Sequence, residues 1–379
     1  MPLPYPYDSW SGGYSIVNGR DSRSDTSYMF GRILAATLIR VSSEFNSPLS
    51  TTYGLQEAVD DLPATGGEVF VPPGTSLASV SIVVNKPDVH ITGAGGASII
   101  RLADGSNVDV FTFTAAALRF ELDHVAIDGN LAGNVAGSGV VGDNALNAHI
   151  HHAYVYHCAE HGVKITRSGT DPEEDRVANC HVHGCAGNGI YFETFVVDSS
   201  VVENVCNNNN NGIYLQAGNR NLVEGNTCRW NLTHGIVIED EETVVSDNIC
   251  TFNQGHGIYV NTAGSTMVSD NTVNGNVQDG IRIYRSSRCH VSDNHVYDQG
   301  NGWSEIHIEG DGAGDASYNT ISGNECYRYV TFNTDYGIRI VGGANAVGNR
   351  LFNNVATDHD VADLDDGGLN TVYGHNQFG

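Results

Sequence analysis

Positive charge is scarce in this sequence: 18 Lys and Arg stand against 44 Asp and Glu, a formal net charge of −26. That deficit argues against nucleic acid and anionic membrane as partners, and it suits a protein that works in salt or binds Ca²⁺. Long apolar runs are also missing. None approaches the roughly 18 residues that a membrane-spanning helix requires, so no membrane partner is expected. The start, Met1-Pro2-Leu3-Pro4-Tyr5, has neither a basic nor an apolar segment, so no signal peptide is read there. The expected location is extracellular by another route, or on a virion. Cys-x-x-Cys pairs are absent, which argues against zinc held through cysteine.

What is present is a repeat. Gly189-Ile190-Tyr191-Phe192, Gly212-Ile213-Tyr214-Leu215, Gly235-Ile236-Val237-Ile238, Gly257-Ile258-Tyr259-Val260 and Gly280-Ile281-Arg282-Ile283 share one phrase, with glycines 23, 23, 22 and 23 residues apart. Gly162-Val163-Lys164-Ile165 precedes them, and Ile306-His307-Ile308 and Gly337-Ile338-Arg339-Ile340 follow at longer spacings that imply inserted loops. The period is too short for two helices and right for a few short strands with turns. Alternating aliphatic residues bounded by Gly, Asn, Asp and Ser read as strands with one buried face. A lone coil cannot bury that face, but coils stacked about 4.8 Å apart can.

The expected fold is therefore all-β, a parallel β-helix of about 10–12 coils with a capped N-terminus. Two asparagine columns keep step with the glycines: Asn208, Asn231, Asn253 and Asn276, and Asn226, Asn248 and Asn271 continued by Asn294, Asn324 and Asn349. The first is read as a side-chain ladder inside a turn. Cys158 and Cys185 fall in that ladder's column, and Cys206, Cys228 and Cys250 in another, as buried stacked thiols do; bridged pairs stay open. Residues 1–50 are read as a capping or attachment segment, with a helix-compatible stretch from Met29 to Val41 as a plug. Residues 51–355 form the β-helix, entry coils to about 130 and regular coils after. Residues 356–379 form a C-terminal cap.

Tyr53-Gly54-Leu55-Gln56-Glu57-Ala58-Val59-Asp60, then Gly66-Gly67-Glu68-Val69-Phe70-Val71-Pro72-Pro73-Gly74, resembles the helix and first coil that open many pectate-lyase-like right-handed parallel β-helix proteins. Thr92-Gly93-Ala94-Gly95, Ile99-Ile100-Arg101-Leu102, Val125-Ala126-Ile127-Asp128-Gly129-Asn130 and Asp279-Gly280-Ile281-Arg282-Ile283-Tyr284 are similar to the catalytic modules of mannuronan C5-epimerases. The resemblance implies a right-handed fold and an acidic polysaccharide as partner. It departs at one point. Those epimerases carry Asp-Pro-His-Glu on an early outward strand, where this chain reads His161-Gly162-Val163-Lys164-Ile165-Thr166, and Asp171-Pro172-Glu173-Glu174 comes later without histidine. Their catalytic residues are not carried over.

The repeat points instead to its own outward positions. In Ile-x-Ile both aliphatic side chains point inward, so the middle residue points out. That column is Lys164, Tyr191, Tyr214, Val237, Tyr259, Arg282, His307 and Arg339. The residue before each glycine gives His161, Asn188, Asn211, His234, His256, Asp279 and Tyr336. The next outward position gives Thr166, Glu193, Gln216, Glu239, Asn261, Tyr284 and Glu309. A long face of rings, cations, imidazoles and carboxylates suits an extended polymer, although Tyr, Arg and Thr also pack well on any sheet. Lys164, Tyr191, Glu193, Tyr214, Tyr284, His307, Glu309 and Arg339 are read as substrate-binding.

Inverting or eliminating a uronate needs removal of the C5 proton, neutralisation of the carboxylate and a proton donor. Tyr259 and His256 are read as acid and base, His234 as an alternative base, and Arg282 as the group that pairs with the sugar carboxylate. A hydrolytic reading uses Glu193 and Glu239 two coils apart, or Glu239 with Asp240 and Asp279 as a tighter acidic set. A third reading is a non-catalytic glycan-binding tailspike, monomeric or a parallel homotrimer. No metal ligand set is assigned: His149, His151 and His152 cluster, but neighbours in a strand face opposite ways, so at most two could share an ion. Ca²⁺ is admitted as a cofactor, without being required, by the oxygen-rich segments Asp358 to Asp366 and Gly310 to Asp315, which lack EF-hand spacing. Asp240, Glu241 and Glu242 read equally well as a solvated turn.

Overall fold

The computed structural model describes residues 39–144, 146–169, 174–329 and 334–379. They form a right-handed parallel β-solenoid of about 13 turns that is 4% helical. Each regular turn gives one short strand to each of three parallel sheets, of 14, 13 and 12 strands among the described residues. In one turn these are Val244–Ser246 in the first sheet, Ile249–Thr251 in the second and Ile258–Asn261 in the third. The glycine phrase lies in the third sheet.

The alternation read from the sequence sets the core. Ile236, Ile238, Ile258, Val260, Ile281, Ile283, Ile306, Ile308, Ile338 and Ile340 are all fully buried. The glycine ahead of them is required by close approach between turns: a Cβ at Gly257 would meet Val273 Cγ1 at 2.3 Å and the Gly280 carbonyl oxygen at 2.7 Å. Cys206, Cys228 and Cys250 stack in register in the second sheet, and all eight cysteines are free and buried.

Asparagines line the turns in continuous ladders. Asn248 Oδ1 accepts from the backbone N–H of Asn226 at 2.9 Å and from its Nδ2 at 3.0 Å. Its own Nδ2 donates to the Val223 carbonyl at 2.9 Å and to Asn271 Oδ1 at 3.0 Å. The preceding residue is left-handed, Asp247 at φ 58°, a conformation that Asp and Asn tolerate. Two columns need correction. Asn209, not Asn208, donates its backbone N–H to Asn231 Oδ1; Asn208 is the left-handed residue before it, with φ 55°. Asn354, not Asn349, follows Asn324, and Asn349 accepts from Asn319 in a third ladder. Turns of unequal length shift the count from the glycine.

At the N-terminal end the helix Leu55–Asp61 buries Leu55, Ala58 and Val59 against the first turns, and Lys86 Nζ donates to the carbonyls of Val59, Asp60 and Leu62 at its end. The stretch Met29 to Val41, read as helix-compatible, lies outside the described residues up to Leu38; its last three residues form the strand Ile39–Val41, paired with Glu68 to Phe70. Residues 356–379, read as a separate cap, carry the strands Ala362–Leu369, Val372–Gly374 and Gln377–Phe378, each paired with the preceding turn. The extra strands at both ends bring the coil count above the expected one.

Candidate functional site

Parallel pairing puts the outward column in register. Lys164 pairs with Tyr191, Tyr191 with Tyr214, Tyr214 with Val237, Val237 with Tyr259, Tyr259 with Arg282, Arg282 with His307 and His307 with Arg339. These side chains leave the core but are packed on one another: Tyr191, Val237 and His307 are buried. Covering the sheet this way desolvates its polar groups.

The densest part spans four successive turns. The rings of His234 and His256 stack with centroids 5.1 Å apart and planes 4° apart, and the Tyr259 ring lies 5.2 Å from the first and 5.1 Å from the second. Asp279, fully buried, is the hub beneath them. Its Oδ2 lies 3.5 Å from His256 Nδ1, 3.1 Å from His307 Nδ1 and 3.6 Å from an Arg282 terminal nitrogen, and its Oδ1 accepts the Ser304 backbone N–H at 2.8 Å. Burial raises the Asp279 carboxyl, but the His307 hydrogen bond and the adjacent imidazoles outweigh it and hold it below the usual range.

Burial dominates the other shifts. It pulls His256 down to about 3, reinforced by the charges of His234, Arg282 and His307 and opposed by Asp279. It pulls His234 down to about 4, helped by Arg282, and lifts the Tyr259 phenol to about 12. At neutral pH His234 and His256 are therefore neutral and the Tyr259 phenol is protonated. The two imidazoles are not equivalent. His234 Nδ1 accepts the His256 backbone N–H at 2.9 Å, which puts the neutral ring's proton on Nε2 and removes His234 as a base at that nitrogen. His256 Nδ1 faces Asp279 Oδ2 at 3.5 Å without a hydrogen bond, and a proton held on that side by the carboxylate's charge leaves Nε2 as the base.

Other expected pairings change. Arg282 hydrogen-bonds Glu309, so a sugar carboxylate at Arg282 must compete with that residue. Glu239 accepts from the Tyr214 hydroxyl and, at 2.5 Å, from Asn261 Nδ2, whereas Asp240 is buried on Asn221 Nδ2 and Thr243 Oγ1. Asp240 thus does not join Glu239 and Asp279 in an acidic set; it belongs to the turn ladder. Glu193 pairs with Lys164 at 2.9 Å, and Tyr284 donates to Asp311 at 2.7 Å. Tyr191 stacks on Tyr214 at 5.2 Å and donates to Gln216, and Arg339 covers the Tyr336 ring at 4.4 Å and pairs with Asp365 at 3.1 Å.

In the segments read as Ca²⁺ loops, Asp311 bonds Arg285, Asp363 bonds His359, and Asp366 bonds Thr371 and Tyr373. Asp171 to Glu173 lie outside the described residues. Two residues had gone unread. Trp303 stands edge-on to His256 at 5.8 Å, delivered by the loop that lengthens its turn. Glu305 takes the place of the repeat's glycine, and burial pushes its carboxyl well above the usual range. The absence of glycine ahead of Ile306 was the signal for Glu305.

Residues 194–312 match the family described as periplasmic copper-binding protein (NosD). A comparison with curated proteins finds no match. Among solved structures, the A-module of the Azotobacter vinelandii mannuronan C-5 epimerase AlgE6 is similar with a TM-score of 0.73 at 16% identity, over 88% of this chain and 99% of that one. The AlgE4 A-module from the same organism gives 0.73 at 17% identity, over 90% and 100%. The Dettilon tailspike protein gp208 gives 0.66 at 13% identity, over 93% and 70%. At these identities the likeness is one of fold.

Proposed function

We propose that this protein binds an extended, acidic polysaccharide along the outer face of the third sheet and removes the C5 proton of a uronate residue, as a polysaccharide lyase or C5-epimerase does. The observation that carries this reading is the run from His234 to Arg282. It joins a neutral imidazole backed by a buried carboxylate, a protonated phenol and a guanidinium on adjacent turns. His256 Nε2 takes the C5 proton, and Arg282, exchanging Glu309 for the sugar carboxylate, stabilises the charge that develops there. In elimination the C5–H electrons form the C4–C5 double bond, the C4–O bond breaks, and Tyr259 protonates the departing oxygen. In epimerisation Tyr259 returns a proton to C5 from the opposite face. Asp279 is a positioning residue for His256.

The fold likeness to two mannuronan C-5 epimerase modules and to a tailspike supports a carbohydrate polymer as ligand, and it suits an extracellular or virion-associated setting. A second reading, glycan binding without reaction, is favoured by the pairings at the two ends of the column, Lys164 with Glu193 and Arg339 with Asp365.

A panel of uronate and neutral polysaccharides separates these readings. Ultraviolet absorbance from unsaturated ends marks a lyase, C5 inversion by NMR an epimerase, and reducing ends without absorbance a hydrolase. Retained binding with none of the three overturns the catalytic proposal.

A further inference from the structure

Away from the third sheet, the outer face of the first sheet carries a second array over three early turns. Its strands are Val89–Gly93, Glu121–Asp123 and His149–His151. Register aligns His90, Glu121 and His149 in one outward column, and Asp123 and His151 in the next. Period-2 alternation puts both columns on the same side of the sheet. Two overlapping trios result, His90 with Glu121 and Asp123, and Glu121 with His149 and His151, each with donor atoms within 4.8 Å of one another.

Pairs of these donors stand at the spacing of neighbouring ligands. His90 Nε2 lies 3.2 Å from Asp123 Oδ1, His151 Nε2 lies 3.5 Å from Asp123 Oδ2, and His151 Nε2 lies 3.0 Å from Glu121 Oε1. A tetrahedral ion with bonds of about 2.0–2.1 Å holds its donor atoms roughly 3.3–3.4 Å apart.

The carboxylate is shielded and faced by imidazoles: Asp123 is 7% exposed, its Oδ1 lies 3.2 Å from His90 Nε2 and 3.3 Å from His124 Nδ1, and His90 Nδ1 stands 3.5 Å from Glu68 Oε2. His151 Nδ1 lies 2.8 Å from His152 Nδ1, so a neutral His151 that donates there would present its Nε2 lone pair to an ion in place of the 3.0 Å contact Nε2 makes with Glu121. His152, which sets that tautomer, is solvent-exposed, as is His124 on the turn before it, stacked at 5.2 Å, so an ion has a route in.

We propose that His90, Glu121, Asp123 and His151 form a site for a divalent transition-metal ion of Zn²⁺ type. Mixed imidazole and carboxylate donors suit such ions better than Ca²⁺, which takes oxygen alone. The ion would tie three consecutive turns together. This site lies outside the residues that match the NosD family and is separate from the outer face of the third sheet.

The test uses the full chain, stripped with chelator and titrated with Zn²⁺ alone by calorimetry, and with Co²⁺ alone for the intense visible bands of tetrahedral coordination. One equivalent should bind at micromolar or tighter affinity, and the melting temperature should rise by several degrees. Asp123→Asn and His151→Gln should each weaken binding at least about 10- to 100-fold, while His181→Gln, on the second sheet, should not. Should either variant melt abnormally without metal, Glu121→Gln replaces it. No saturable binding at 100-fold excess of Zn²⁺, or tight binding that all three variants retain, would overturn the site and leave the array a set of imidazolium–carboxylate pairs.

Discussion

The turns and the outer face of the third sheet are built from the same coils and obey opposite rules. In the turns one letter recurs, Asn226 on Asn248 on Asn271 on Asn294, because each amide must both give and receive at the same offset. On the outer face the letter repeats once, Tyr191 on Tyr214, and then changes at each turn to Val237, Tyr259, Arg282 and His307. Repetition marks what stacking demands, and variation marks what stacking leaves free. Chemistry is therefore sought in the column that varies.

Substitutions on the two sides should separate stability from activity. The largest expected effect is Asn248→Ala, which removes four hydrogen bonds at a buried position and strands donors and acceptors on both neighbouring turns. A loss of about 4 kcal/mol in urea unfolding is expected, with little change in specific activity of the remaining folded protein. Next come Tyr259→Phe and His256→Ala, expected to lower kcat about 10²- to 10³-fold in the polysaccharide assay and to leave the urea midpoint nearly unchanged for Tyr259→Phe.

A smaller effect is pH-dependent. The folded protein holds His256 near 3 and His234 near 4, below the ordinary value of 6.5. Between pH 6.5 and those values the unfolded chain binds protons that the folded chain refuses, so this stability is complete above 6.5 and lost as pH falls. Replacing His256 with Phe should flatten the stability–pH slope in that window by on the order of 1 kcal/mol per pH unit. The smallest is Gln216→Ala, which removes one half-buried partner of Tyr191 and should cost less than about 1 kcal/mol.

Much of the fold was legible because strand alternation and ladder offsets are local. The interior pair Ile258 and Val260 and the register of Tyr259 over Arg282 follow from counting within one coil. Counting failed where turns differ in length, which misplaced Asn208 and Asn349 and hid Trp303 in a loop. The candidate site was legible as a column, but its pairings were not. Alternation tells which way Arg282 points, yet whether it meets Asp279 and Glu309 depends on rotamers and on neighbours 27 residues away. Of the first-sheet array only the cluster of His149, His151 and His152 was legible, because Glu121, the partner of His151, stands 30 residues upstream.

The most direct measurement of the central proposal is C5 proton exchange. A uronate polysaccharide incubated with the protein in D₂O is followed by NMR at C5, together with ultraviolet absorbance of unsaturated ends. Deuterium at C5 or new unsaturation, lost in Tyr259→Phe and His256→Ala, is the expected result. A polymer that binds along the face and keeps every C5 proton, with no new unsaturated ends, would contradict it.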